Sequence, residues 1–143
     1  MRFSRQADYA LRMVLDLAVS EEGRIREIAG RQSVSPAYVG RISQFLVRAG
    51  LVRSQRGRLG RLMLARPPEE ITMLDIVEAV DGPIRVDRCL LAPDECGREL
   101  FCPAYRVGQD VLSYAVDRLG STTVADLCGE GQRTRKLARQ RQE

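Results

Sequence analysis

The stretch "IREIAGRQSVSPAYVGRISQFLVRAGLV", Ile25 to Val52, decides the fold. Ile25, Ile28 and Ala29 give a short helix its apolar positions. "RQSVS" breaks that helix. Ser35 then caps a second one, and Pro36 falls at its first position, where a missing N–H costs nothing. Val39, Ile42, Phe45 and Leu46 form the apolar stripe of the second helix, which stops at Ala49-Gly50. A short helix, a tight turn and a longer capped helix make the helix-turn-helix pattern.

Upstream, "SRQADYALRMVLDLAVS" has apolar residues at helical spacing, so a helix is expected over residues 4–20, capped by Ser4 and stopped at Glu-Glu-Gly. Downstream the period changes from helix to strand. Residues 51–55 and 61–65 read as two strands, joined by Arg56-Gly57-Arg58-Leu59-Gly60, and Pro67-Pro68 ends the hairpin. Residues 1–68 are therefore expected to be a winged helix-turn-helix domain. "ITMLDIVEAVDGP" predicts a connecting helix capped by Thr72, and residues 69–103 then run into a segment without a clean period. Residues 104–119 read as a long helix with apolar positions Val107, Val111, Leu112, Ala115, Val116 and Leu119. "STTVADLC" starts a short last helix capped by Ser121 or Thr122, completing a unit over residues 104–128. Residues 129–143 are polar and basic and read as a flexible tail. The expected class is mainly α, with one β-hairpin wing and an irregular cysteine-bearing loop.

Charge points to a partner. The chain has 143 residues and a formal net charge of +4. Between Met1 and Arg66, thirteen arginines face five acids, a local balance of +8. A basic N-terminal half is the electrostatic footprint of a nucleic-acid binder, set against the plainer reading of an arginine-rich soluble surface. In a helix-turn-helix the start of the second helix meets the major groove. That makes Ser35, Pro36, Ala37, Tyr38 and Arg41 candidates for DNA contact, with Ser35 suited to phosphate and Arg41 to guanine. Arg56, Arg58 and Arg61 of the wing suit phosphates or the minor groove.

The second half carries "CLLAPDECGRELFC", three cysteines in the pattern C-x6-C-x5-C, in a chain with no histidine. The absence of histidine excludes Ser-His-Asp and Cys-His catalysis, and no glycine loop follows a strand to cradle phosphates. No enzyme constellation is present. Neither cysteine spacing is the CxxC knuckle of a structural zinc site. Irregular spacing suits an iron–sulfur cluster, while a thiol–disulfide switch and cysteines without a shared role remain open. With no signal sequence or membrane span legible, a cytoplasmic protein is expected.

Taken in order, "MRFSRQADYALRMVLDLA", the helix-turn-helix stretch, "RGRLGR", "LARPPEEITMLDIVEAVDGP" and "STTVADLC" resemble the Rrf2 family of bacterial transcription regulators, over about residues 1–128. The resemblance implies a homodimer joined through the long helix at residues 104–119, bound to a palindromic operator in double-stranded DNA. In the family's IscR-like and NsrR-like branches it also implies an iron–sulfur cluster, a 4Fe–4S cluster first and a 2Fe–2S cluster as the alternative. Cys89, Cys96 and Cys102 match the cluster cysteines. Asp8, in "QADYAL", matches the NsrR-like branch's fourth ligand, which comes from the partner subunit; the plainer reading of Asp8 is an ordinary first-turn acid. Such a cluster would sense redox state, nitric oxide or iron supply. Two departures stand out. Gly40-Arg41 replaces a glutamate frequent in the family's recognition helix, and the absence of histidine excludes an IscR-type ligand set. The alternatives are a cluster-free thiol or zinc sensor on the same scaffold and, from another class, a cluster carrier that binds no DNA.

Overall fold

A computed structural model describes residues 3–55, 60–84 and 102–131. Helix α1 (Arg5–Ser20) begins where Ser4 Oγ accepts from the Ala7 N–H at 3.0 Å. It buries Ala7, Ala10, Met13, Val14 and Leu17 on one face. Glu21 then takes a positive φ of 64°, which turns the chain into a short strand, β1 (Glu22–Arg24). Helix α2 (Ile25–Gln32) follows at once, its start fixed by the Arg24 N–H donating to Glu27 Oε2 at 3.0 Å. Ser33, at φ 54°, makes the turn into α3 (Pro36–Arg48), and the Val34 N–H reaches back to the Ala29 carbonyl at 3.0 Å. This closes the helix C-terminus with a left-handed residue, as glycine more often does.

Strands β2 (Val52–Gln55) and β3 (Arg61–Leu64) form the expected hairpin, and the sheet gains β1 on its other side. The order is β1-β3-β2, antiparallel throughout, with Gly23 opposite Leu62 and Ser54 also opposite Leu62. The sequence reading took Glu-Glu-Gly only as a helix stop. Three residues are too few to show a strand period, and their pairing partner lies about forty residues away in sequence.

Helix α4 (Met73–Asp81) starts with a reciprocal cap. The Asp75 N–H donates to Thr72 Oγ1 at 3.1 Å, and the Thr72 N–H donates to Asp75 Oδ2 at 2.9 Å. Its last residue, Asp81, returns to the start of α1, accepting from the Ser4 hydroxyl and, at 3.3 Å, from the Ser4 N–H. Helix α5 (Pro103–Gly120) is long, and a final helical segment covers residues 124–131. The cap of that segment is Thr123 rather than Ser121 or Thr122: Thr123 Oγ1 accepts from the Asp126 N–H at 3.1 Å, and Asp126 Oδ2 accepts from the Thr123 N–H at 3.0 Å. The two earlier hydroxyls instead donate to the Arg118 carbonyl, closing α5. Residues 129–131, placed in the tail by the sequence reading, continue the helix.

One core joins these parts. Met13, Val14 and Leu17 of α1 meet Ile28 of α2, Ile42 and Leu46 of α3, Leu62 of β3, Ile71, Ile76 of α4 and Val124. The chain's later part is stitched on by main-chain bonds, from the Met73 N–H to the Thr122 carbonyl and from the Val124 N–H to the Ile71 carbonyl, both 2.8 Å. Among the described residues, no helix is long and apolar enough to cross a membrane.

Leu46 is fully buried in this core. Leu46→Ala should therefore lower unfolding stability by about 2–5 kcal/mol in urea titration, whereas Val19→Ala, at a largely exposed position, should stay within about 0.5 kcal/mol. The Thr123 N–H and hydroxyl hold the Asp126 carboxyl below the usual carboxylate range. Its contribution is thus present above the unfolded carboxylate's pKa and lost as pH falls through the lower folded value. Asp126→Asn should flatten that acid limb of the stability curve.

Candidate nucleic-acid interface and sensor site

Helix α3 buries Val39, Ile42, Ser43 and Leu46, so the core fixes which of its faces meets solvent. Ser35, Pro36, Ala37 and Arg41 lie on the exposed face. Ser35 Oγ accepts from the Tyr38 N–H at 3.3 Å, which leaves its own O–H to donate to a phosphate. Arg41 is one turn further along, exposed, and has the planar fork that matches guanine O6 and N7.

Tyr38 is placed differently from a free groove contact. Its ring is half-buried and meets Tyr9 of α1 edge to face, centroids 5.5 Å apart at 87°. Such pairs contribute about 0.5–1.5 kcal/mol beyond their buried area. This contact joins α3 to α1. In the wing, Arg56 and Arg58 lie outside the described residues. Arg61 opens β3 and forms an ion pair with Glu22 of β1.

Asp8 is exposed on α1, and both of its oxygens face Arg12 one turn on: Nε donates to Oδ1 at 3.1 Å, and Nη2 lies 3.0 Å from Oδ2. The Arg12 guanidinium sits over the Tyr9 ring, 5.4 Å from its centre. A continuous contact thus runs from Asp8 through Arg12 and Tyr9 to Tyr38 on the recognition helix. Sequence reading singled out the two ends and missed the middle. The i,i+4 spacing of Asp8 and Arg12 was the available signal; the ring contact had none. A second tie was also missed. Arg31 of α2 grips half-buried Asp16 of α1 with both Nε and Nη2, at 2.7–3.1 Å, and this hydrogen bonding raises the Arg31 pKa against the smaller opposing effect of burial.

Of the three clustered cysteines, Cys89 and Cys96 lie outside the described residues. Cys102 is half-buried, stands immediately before α5 and makes no disulfide among the described residues. Among the described residues, no group of three or more possible metal ligands is gathered. The donor types fit an iron–sulfur cluster nonetheless. Cysteine thiolates are its usual ligands, and an exposed ion pair such as Asp8–Arg12 holds its carboxylate by only about 0–1 kcal/mol. Cys128 is a separate, half-buried thiol packed against the core, and burial pushes its pKa up. It lines a groove of about 410 Å³ with Arg12, Leu15, Asp16, Val19 and Leu127.

The long helix divides its expected apolar stripe. Leu119, expected among the subunit-facing positions, is buried within the protomer. Leu112, Ala115 and Val116 are half-buried. Val107, Val111 and Tyr114 form an exposed row at i, i+4 and i+7, with relative exposures of 62%, 63% and 72%. Tyr114 was not among the sequence candidates.

The family model described as Rrf2, "Iron-dependent Transcriptional regulator", matches residues 3–130. The chain belongs to the Rrf2 family. Relatives that match it are named as HTH-type transcriptional regulators. Among similar proteins, "Protein aau3" of Rhizobium meliloti is 40% identical over 72% of this chain, a match spanning 65%, just under two thirds, of that protein. The regulator CymR of Bacillus subtilis is 32% identical over 89% of both chains. In solved structures, CymR, titled "the Global Cysteine Regulator of B. subtilis", superposes with a TM-score of 0.66 at 30% identity, covering 91% of this chain and 98% of its own. IscR of T. potens gives 0.72 at 28% identity, covering 92% and 88%. The winged-helix architecture of this Rrf2 chain is therefore that of its relatives.

As a candidate guanine reader, Arg41 is tested by Arg41→Ala, which should relax sequence preference at one base position. Affinity for the preferred base should fall about 5- to 150-fold in binding selections from random duplexes.

Proposed function

We propose that the regulator acts as a homodimer on a palindromic operator and carries an iron–sulfur cluster that sets its affinity for DNA. The ligands would be Cys89, Cys96 and Cys102 of one subunit and Asp8 of the other. The observation that carries this reading is the contact running from Asp8 through Arg12 and Tyr9 to Tyr38. The exposed row Val107, Val111 and Tyr114 on an 18-residue helix supports the dimer, because a lone protomer leaves it in water. Two-fold pairing would present two copies of α3 to a palindrome.

When bound, such a cluster supplies iron that oxidants and nitric oxide attack, which makes its fourth ligand labile. The protein's own residues would do the rest. Engaged by the other subunit, Asp8 no longer holds both donors of Arg12. Released, it recaptures them. Arg12 lies on Tyr9, and Tyr9 abuts Tyr38, so either state of Asp8 sets how α1 bears on the start of α3. A coupling of about 1–3 kcal/mol is enough to alter operator affinity about 5- to 150-fold.

A second reading keeps the DNA-binding scaffold and replaces the cluster by a thiol–disulfide or zinc switch at the same cysteines. The likeness to CymR, the global cysteine regulator, favours it. Protein purified without oxygen separates the two. The first reading expects iron and sulfide together with visible absorbance that Cys102→Ala abolishes, and Asp8→Ala should alter the absorbance and lower the affinity difference between loaded and empty protein. Colourless protein holding stoichiometric zinc, or a disulfide among Cys89, Cys96 and Cys102 after peroxide, would establish the second.

A further inference from the structure

The third strand changes what the wing can bind. The register sets Arg24 of β1 and Gln55 of β2 directly opposite Arg61 of β3, in one row across the sheet. Two residues along, Glu22, Met63 and Arg53 form the next row on the same face. The opposite face carries Gly23, Leu62 and Val52, which are buried in the core. Three arginines therefore share the outward face of a three-stranded sheet.

Arg24 and Arg61 are like charges at directly opposed positions, an arrangement that destabilises a sheet unless something negative lies between them. Their acids meet this need incompletely. Arg61 pairs with Glu22 across the strands. Arg24 Nε stands 3.8 Å from Glu27, beyond hydrogen-bond reach, and is buried without a hydrogen-bond partner among the described residues. Arg24 also immediately precedes α2, the helix that in this motif crosses the nucleic-acid backbone, and Arg61 stands at the base of the wing. An anion on this face would meet guanidinium groups whose planar geometry matches phosphate oxygens.

We propose that Arg24 and Arg61, set side by side by the β1–β3 register, together grip one backbone phosphate of the bound DNA, with Glu22 competing for Arg61 in the free protein. The proposal rests on the DNA-binding assignment. It adds a contact on a strand outside both the helix-turn-helix and the wing loop. Glu22 becomes a residue that limits affinity: its ion pair with Arg61 is exposed and weak, so phosphate displaces it at small cost.

The test is fluorescence anisotropy of the full chain with a random-sequence duplex of about 25 base pairs, across roughly 50–200 mM salt. Phosphate contacts ignore sequence, so no operator is required. Wild-type affinity should fall linearly with salt on logarithmic axes. Arg24→Gln and Arg61→Gln should each flatten that slope by about 0.9, and the double variant by no more than either alone, because one phosphate is lost in all three. Arg24→Lys should restore the slope, and Glu22→Gln should tighten binding several-fold. Thermal melts identify any variant that fails to fold; for such a variant, the lysine and Glu22→Gln results decide. An unchanged slope in Arg24→Gln, additive losses of about 1.8 in the double variant, or wild-type affinity in Glu22→Gln would overturn the shared site. Wild-type protein with no salt-dependent binding would overturn the DNA-binding assignment and this site with it.

Discussion

The structure depends on how α1 is used. One face of this helix, Ala7, Ala10, Met13, Val14 and Leu17, is buried against the rest of the fold. The opposite face carries Asp8 and Arg12 into solvent. Close-packed interiors transmit displacement instead of absorbing it. With Leu17, Ile28, Ile42 and Leu46 in a single cluster, α1 cannot shift without pressing on both helices of the helix-turn-helix. The Arg31–Asp16 pair and the Tyr9–Tyr38 contact add two polar or aromatic ties between the same elements. A displacement of the outer face of α1 therefore has a short physical route to the exposed start of α3.

The start of α1 is also tied to the far end of α4, where Ser4 meets Asp81. After Asp81 the chain turns at Gly82, and the Ile84 N–H folds back onto Glu78 at 3.2 Å. The end of α4 is thus anchored to α1 in the same protomer. As the proposed ligand, Asp8 would add a separate attachment from the other subunit of the proposed dimer. The two attachments would hold one helix from both sides of the subunit boundary.

Much of this was legible in the sequence. The caps at Ser4, Ser35 and Thr72, with Pro36 at the first turn of α3, gave the helix starts, because a cap is a local bargain between one side chain and the next three residues. The hairpin was legible from its change of period. Strand β1 was not, since Glu22–Arg24 acquires its conformation only by pairing with Arg61–Met63. Nor was the turn at Ser33, where a left-handed serine replaced the glycine that usually marks such a stop. In the candidate site, residue types and position picked out Ser35 and Arg41, while Asp8 came from the family resemblance alone. They did not distinguish a groove-facing Tyr38 from one packed on Tyr9, or a subunit-facing Leu119 from one buried in its own core. Those differences of a few ångströms are settled by tertiary packing.

The central claim is that α1 conveys the state of the cysteine site to the recognition helix through Arg12 and Tyr9. The most direct measurement compares the affinity of cluster-loaded and cluster-free protein for an operator selected from random duplexes, in wild type and in Arg12→Ala, with oxygen excluded. The account predicts a clear loaded-to-empty ratio in wild type that collapses toward one in Arg12→Ala, while the variant still folds and binds DNA. A ratio in Arg12→Ala equal to that of wild type would contradict it.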